Sequence, residues 1–271
     1  MDFATDLLNK LLNFVIGSGL FEGAAKILHQ AFDSDILATL DNLSEAALPI
    51  ASVLVCIYFT IALMDKIAAD NFTTDQFITL LIKLVFSILI INNAQELAKI
   101  IMSFGEHLLG DVASSTEVEM SFADGFGFFE KIFAIILMLI PAIFSILVRL
   151  IMYFFTYGYA IEVYVRSAFA PIGLADLVSG GINSNGYKYL RKMIAVALQG
   201  SIMLGILIVG SQLSTDIIQE VSSIDSIKEL AGKVIFSVGN EGVGMLQLIG
   251  VQLATVGLLG SARTIANDLI G

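Results

Sequence analysis

Apolar residues along this chain gather in long unbroken runs, not in the strict alternation of a half-buried strand or the spaced stripe of a surface helix. A helix needs about 20 apolar residues to cross roughly 30 Å of hydrocarbon, and five runs approach that length. Residues 46–64 carry no charge and are closed by Asp65 and Lys66. Residues 77–91 form a shorter run that holds Lys83 and stops at Asn92 and Asn93. A third run starts at Ile132, stays apolar up to Arg149, and continues in weaker form from Ile151 to Tyr159. Its Pro141 predicts a kink of the kind that membrane helices tolerate. The fourth run is 193–209, and the fifth, 245–259, is polar for its class because of Gln247 and Gln252. The pattern predicts an all-α, polytopic integral membrane protein with about five transmembrane helices.

Between the runs the pattern becomes amphipathic. Phe3, Leu7, Leu8, Leu11, Leu12 and Val15 recur at helical spacing, Gly17 and Gly19 interrupt them, and a second piece covers 21–32. This N-terminal helical region begins Met1-Asp2-Phe3 with Asp6 close behind, so it lacks the basic opening of a secretory signal. Its polar face is not rich in Lys and Arg, which favours packing on a partner helix over lying on lipid. Helical pattern resumes over 94–109, gives way to a polar run at 111–119, and returns over 214–234. Residues 153–178 are apolar yet contain Glu162, Arg166 and Asp176. They read as a continuation of the third helix, then a helix with a Pro–Gly break at or just inside one membrane face; a sixth span is the competing reading. The resulting segments are 1–45 (amphipathic helices outside the cytoplasm), 46–91 (first helical hairpin), 92–131 (acidic outer loop), 132–210 (core with helices three, four and the break), 211–244 (outer loop) and 245–271 (last helix and C-terminus).

Composition agrees with the runs: of 271 residues 57% are hydrophobic and only 14% charged, against about 45–50% and a quarter in soluble domains. Mean hydropathy is +0.88. Acidic residues outnumber basic ones, 25 to 14, for a net charge of −11, which argues against a surface that coats nucleic acid or grips anionic lipid. Sorting charge by segment is more informative, because Lys and Arg near span ends mark the cytoplasmic side. With five spans and the N-terminus outside, segments 65–76, 149–192 and 260–271 hold seven basic and six acidic residues, and the opposite segments hold six basic and nineteen acidic. The cluster Lys188, Arg191 and Lys192 is the strongest orientation signal. It favours N-terminus outside and C-terminus inside over the six-span arrangement.

Candidate chemistry is sparse. The single Cys56 cannot form an internal disulfide, and His29 and His107 lack the companions a zinc site needs. The pair Gly232-Lys233 lacks the glycine and hydroxyl spacing of a phosphate-binding loop. Neither catalysis nor a cofactor is expected. The charges in or beside spans, Lys83, Arg149, Glu162 and Arg166, are candidates for a pathway or for packing. Lys83 can snorkel to headgroups, Glu162 and Arg166 can pair with each other at i and i+4, and Arg149 can serve as an interfacial anchor. Small residues at four-residue spacing, Ala197, Ser201 and Gly205 in helix four and Gly250, Ala254, Gly257 and Ser261 around helix five, permit close helix approach within one subunit or between subunits. Gln199, Gln212, Gln247 and Gln252 can hydrogen-bond across such contacts.

The stretch from Tyr157 to Gly200 resembles the core of the TrbL-like, VirB-type polytopic subunit of conjugative type IV secretion systems, in the form found in Gram-positive mobile elements. The likeness is carried by Ile161-Glu162 with Tyr164, Ala170-Pro171-Ile172 followed by Gly173, Tyr189-Leu190-Arg191, and Leu198-Gln199-Gly200. In the first half, Leu48-Pro49-Ile50 opens a span and the linker 71–77 leads to the next. The chain departs from the pattern in lacking tryptophan. The resemblance implies a structural, channel-forming subunit of the cytoplasmic membrane that passes single-stranded DNA with its relaxase, or protein, and draws energy from separate ATPases. It also implies other secretion subunits as partners, including extracytoplasmic ones, while the small-residue stripes suggest association of several copies in the lipid membrane. Two rivals of other classes are a small-solute transporter using Lys83, Glu162 and Arg166, and a scaffold that never touches substrate. The transporter reading expects paired broken helices in two repeats, and the first half holds no second copy of the break at 169–174.

Overall fold

The structure is a computed structural model and describes residues 3–16, 19–31, 41–68, 72–109, 128–178, 183–221 and 245–270. Every regular element among these residues is a helix. In chain order they are α1 (Phe3–Ile16), α2 (Gly19–Gln30), α3 (Asp41–Ala68), α4 (Thr74–Asn92), α5 (Ala94–Leu109), α6 (Phe128–Ala168), α7 (Ala170–Leu174), α8 (Asn185–Val221) and α9 (Met245–Ile270). Five segments, Asp41–Ala68, Thr74–Asn92, Leu139–Ala168, Asn185–Ile217 and Gln247–Ile270, are long and apolar enough to cross a membrane. The all-helical, five-span pattern predicted from the apolar runs is thus observed. The polar run 111–119 and the later part of the helical pattern at 214–234 fall outside the described residues.

Helices outlast the apolar runs that predict them. The α3 helix starts at Asp41, so Pro49, expected to open a span, stands inside it. Proline there removes one backbone donor, and the helix continues because its N-terminus is well held. The Asp41 carboxylate complements the positive end of the helix, accepts from Lys99 Nζ at 2.9 Å and also accepts from the Gln95 amide. Likewise α6 passes through Pro141 and on to Ala168 in one piece, α8 extends to Val221, and α9 continues past 259 to Ile270.

The chain forms two compact units. One comprises Met1–Ile27, Asp111–Tyr157 and Met203–Ala262; the other comprises Leu28–Gly110, Gly158–Ile202 and Arg263–Gly271. In the first, α6 and α9 meet through the buried Ser145 hydroxyl, which donates to Gln252 Oε1 at 3.2 Å, and through Gly260, where a Cβ would stand 3.1 Å from the Phe155 ring. The α2 helix packs on the same helices. A Cβ on Gly210 of α8 would lie 2.6 Å from Thr255 Oγ1 and 3.1 Å from the Phe21 ring, and a Cβ on Gly23 would overlap the Tyr153 hydroxyl. The apolar face of α2 is therefore taken up by this chain's own helices.

The second unit is built on the α3–α4 hairpin. Thr73 caps α4, its hydroxyl accepting from Gln76 N, and Asn93 alone separates α4 from α5. The outer face of the hairpin is apolar and exposed at Ile50, Val53, Ile57, Ile61, Ile78, Ile82, Val85 and Leu89; a band of this kind on a membrane helix is covered by lipid. Its inner face receives the break after α6. Ala175 is buried with Ala51, Val55 and Ile91, and Leu54, Tyr58, Leu84 and Ile172 pack against that cluster. These contacts lie about 20 Å along the hairpin from its turn at 1.5 Å per residue. Small side chains make the entry possible, since Ala170, Pro171 and Ala175 are all buried.

Candidate functional site: a shared carboxylate at the helix break

Irregular backbone inside a helical membrane protein must find hydrogen-bond partners in the protein itself. Here the break is closed by local caps. Pro171 occupies the first turn of α7, where its missing donor costs nothing. Asp176 Oδ2 accepts from Asn185 N at 3.2 Å, and Ser184 Oγ accepts from Tyr187 N at 3.0 Å, so the first donors of α8 are satisfied in the manner of N-caps. The Gly173 backbone lies flat against the Tyr189 ring, where a Cβ would come within 2.6 Å of three ring carbons. The Tyr189 hydroxyl in turn donates to Arg166 O at 2.5 Å.

Beside this closed turn sits a group of charges. Glu162 Oε1 accepts from Arg166 Nη2 at 2.7 Å and Nε at 3.0 Å. The same oxygen lies 3.2 Å from Arg263 Nη2 of α9. One carboxylate therefore serves two guanidiniums, and the cluster keeps one formal positive charge. Glu162 and Arg166 are largely buried, their side chains 19% and 18% exposed, whereas Arg263 is 59% exposed. Arg191 completes the group by donating from Nη2 to Ile270 O at 2.7 Å, which satisfies one of the carbonyls orphaned at the end of α9. The arrangement can clamp the ends of α6, α8 and α9 and present one spare cation. It contains no nucleophile paired with a base.

The i, i+4 pairing of Glu162 with Arg166 was legible in the sequence; the participation of Arg263 was not. Nothing periodic links residues about a hundred apart, and the only hint was that Arg263 is the lone base of the last helix. Lys188 and Lys192 are exposed, and Arg191 alone of that cluster makes an internal contact. Gln199 and Gly200 are buried. The remaining candidates lie elsewhere. Arg149, in the first unit, places its guanidinium 4.6 Å over the Phe14 ring of α1, a cation–π contact, while among the described residues its Nε has no hydrogen-bond partner. Lys83 lines a cavity of about 180 Å³ in the hairpin with Asp65, Lys66 and Ser87. Glu162 and Arg166 are not in that lining.

The small-residue stripes part company. In α8, Ala197 and Ser201 receive α5: a Cβ on Gly105 would lie 2.9 Å from Ala197 O, and Ser201 Oγ donates to Gly105 O at 3.3 Å. Gly205 faces open space. In α9, Gly250 and Gly257 likewise face open space, and Ala254 and Ser261 are exposed. No protein-family model, curated protein or solved structure matches the chain.

Proposed function

We propose that this multi-pass membrane protein is a channel-forming or structural subunit of a conjugative type IV secretion machine in the cytoplasmic membrane. Separate ATPases drive it, its N-terminus lies outside and its C-terminus inside, and it contacts single-stranded DNA with attached relaxase only in passing. The observation that carries the reading is the clustering of the residues behind the family resemblance. Glu162, Gly173 and Tyr189 are joined through Arg166 in one set of contacts beside the break, as expected if that stretch is a functional unit and not a set of chance matches. The open faces of Gly250, Ala254 and Gly257 in α9 suit packing between copies, since small residues let membrane helices approach closely.

The test is genetic and then chemical. Deleting the gene should abolish transfer of a marked element between cells, and the intact gene supplied in trans should restore it. Photo-crosslinkers at exposed positions of α8 and α9 should then label DNA in transit. Transfer that survives the deletion removes the proposal. Loss of transfer with crosslinks only to partner proteins favours the scaffold.

A further inference from the structure

The N-terminal helix α2 carries an exposed polar face beside the middle of a candidate membrane span. Its apolar side is buried, with Phe21, Ala24 and Ala25 in the core, and it packs on three of the five candidate spans. Gly23 meets Tyr153, and Phe21 meets Gly210 and Thr255. Further along, the Tyr164 hydroxyl donates to Gln30 O at 3.0 Å. Tyr153 is at the middle of the span Leu139–Ala168. The α2 helix thus runs alongside the central part of a membrane-crossing helix. Its opposite side carries Glu22, Lys26 and Gln30, all exposed, and among the described residues neither Glu22 nor Lys26 has an ion-pair partner, although the two are four apart.

The bilayer centre is the most costly place for a charged side chain, and charges found there face the protein interior or water. Half the hydrocarbon thickness is about 15 Å, farther than the short stem of Glu22 can carry its carboxylate. Unpaired charges of both signs also do not suit an anionic headgroup surface. We infer that the Glu22–Lys26 face of α2 lines a water-filled space within the membrane, so that α2 is part of the wall of an aqueous passage. The inference rests on the five helices crossing a bilayer and not on what is transferred, so mating frequency is not its readout.

The native thiol supplies the control. Cys56 is exposed, on the apolar outer face of α3 beside Val53 and Ile57, so lipid should shield it from a charged, membrane-impermeant thiol reagent. In inside-out and right-side-out vesicles made from cells holding the full machine, Glu22→Cys and Lys26→Cys, each combined with Cys56→Ser, should label about tenfold or more faster than Cys56 of the native protein, because reaction needs a hydrated thiolate. Ala24→Cys, on the buried side, should remain slow. All variants should label fully in denaturant, and unchanged elution of the purified variants shows that they fold. Labelling at positions 22 and 26 as slow as at Cys56 in both vesicle orientations would overturn the inference, whether lipid or another protein covers the face.

Discussion

Replacing Gly173 by alanine adds one methyl group where the structure leaves no room. The new Cβ would lie 2.6 Å from Cδ1, Cδ2 and Cε1 of Tyr189, so the ring must move. It cannot move freely, because its hydroxyl is bound to Arg166 O at 2.5 Å. Overpacking of this kind costs about 1–3 kcal/mol, and losing the hydroxyl bond adds about 1 kcal/mol. The total, about 2–4 kcal/mol, lowers the folded-to-unfolded ratio roughly 30- to 700-fold. Reversible unfolding in mixed micelles, followed by far-UV circular dichroism, reads this directly. The decisive control is Tyr189→Ala. With the ring gone, Gly173→Ala should turn neutral or stabilising by up to about 1 kcal/mol, since alanine is the better helix former. Tyr189→Phe alone should cost about 1 kcal/mol. An equal penalty for Gly173→Ala with and without the Tyr189 ring would refute the reasoning, because the cost would then not arise from that contact.

Glu162→Gln should destabilise by about 1.5–3 kcal/mol, as for hydrogen bonds to charged groups, and the double variant Glu162→Gln/Arg166→Gln should lose less than the sum of the two singles. Arg263→Gln, at a half-exposed partner, should cost under about 1 kcal/mol in the same assay. Gly257→Leu projects into open space, so it should leave unfolding unchanged while shifting the assembly to smaller species on native gels; unchanged size would show that this face of α9 joins no copies. For topology, in a Cys56→Ser background, cysteines at Ser115 and Ser222, both outside the described residues, should label from outside intact cells, and one at Asn183 should not. Asn183 is exposed, whereas neighbouring Ser184 is buried and engaged in capping α8, so a thiol at 184 would be silent on either side.

What was legible in the sequence follows from the range of the forces involved. Burying a continuous apolar run in lipid needs no knowledge of neighbours, so the five spans and the α5 helix at 94–109 could be read directly. The start of α3 could not, because it depends on Asp41 receiving Lys99 and Gln95, partners more than fifty positions away. The same holds for the candidate site. Glu162 and Arg166 are one helical turn apart and visible as a pair, while Arg263 joins them only through the packing of α9. The small-residue stripes were ambiguous for a related reason. Spacing shows that a close approach is possible, but only the Gly105 contact shows that α5 occupies Ala197 and Ser201 and leaves the α9 stripe open.

The unequal lengths of the spans bear on how the protein fits its bilayer. At 1.5 Å per residue, α4 is about 28 Å long and the apolar part of α6 about 45 Å. A hydrocarbon layer near 30 Å leaves α4 nothing to spare, so it stands close to the membrane normal or draws the lipid thinner around it. The longer helix must lean or emerge into the headgroups, adjustments that cost only fractions of a kcal/mol per Å of mismatch. Membrane thickness should therefore be registered at α4, the short rung, while α6 absorbs the difference by changing its inclination.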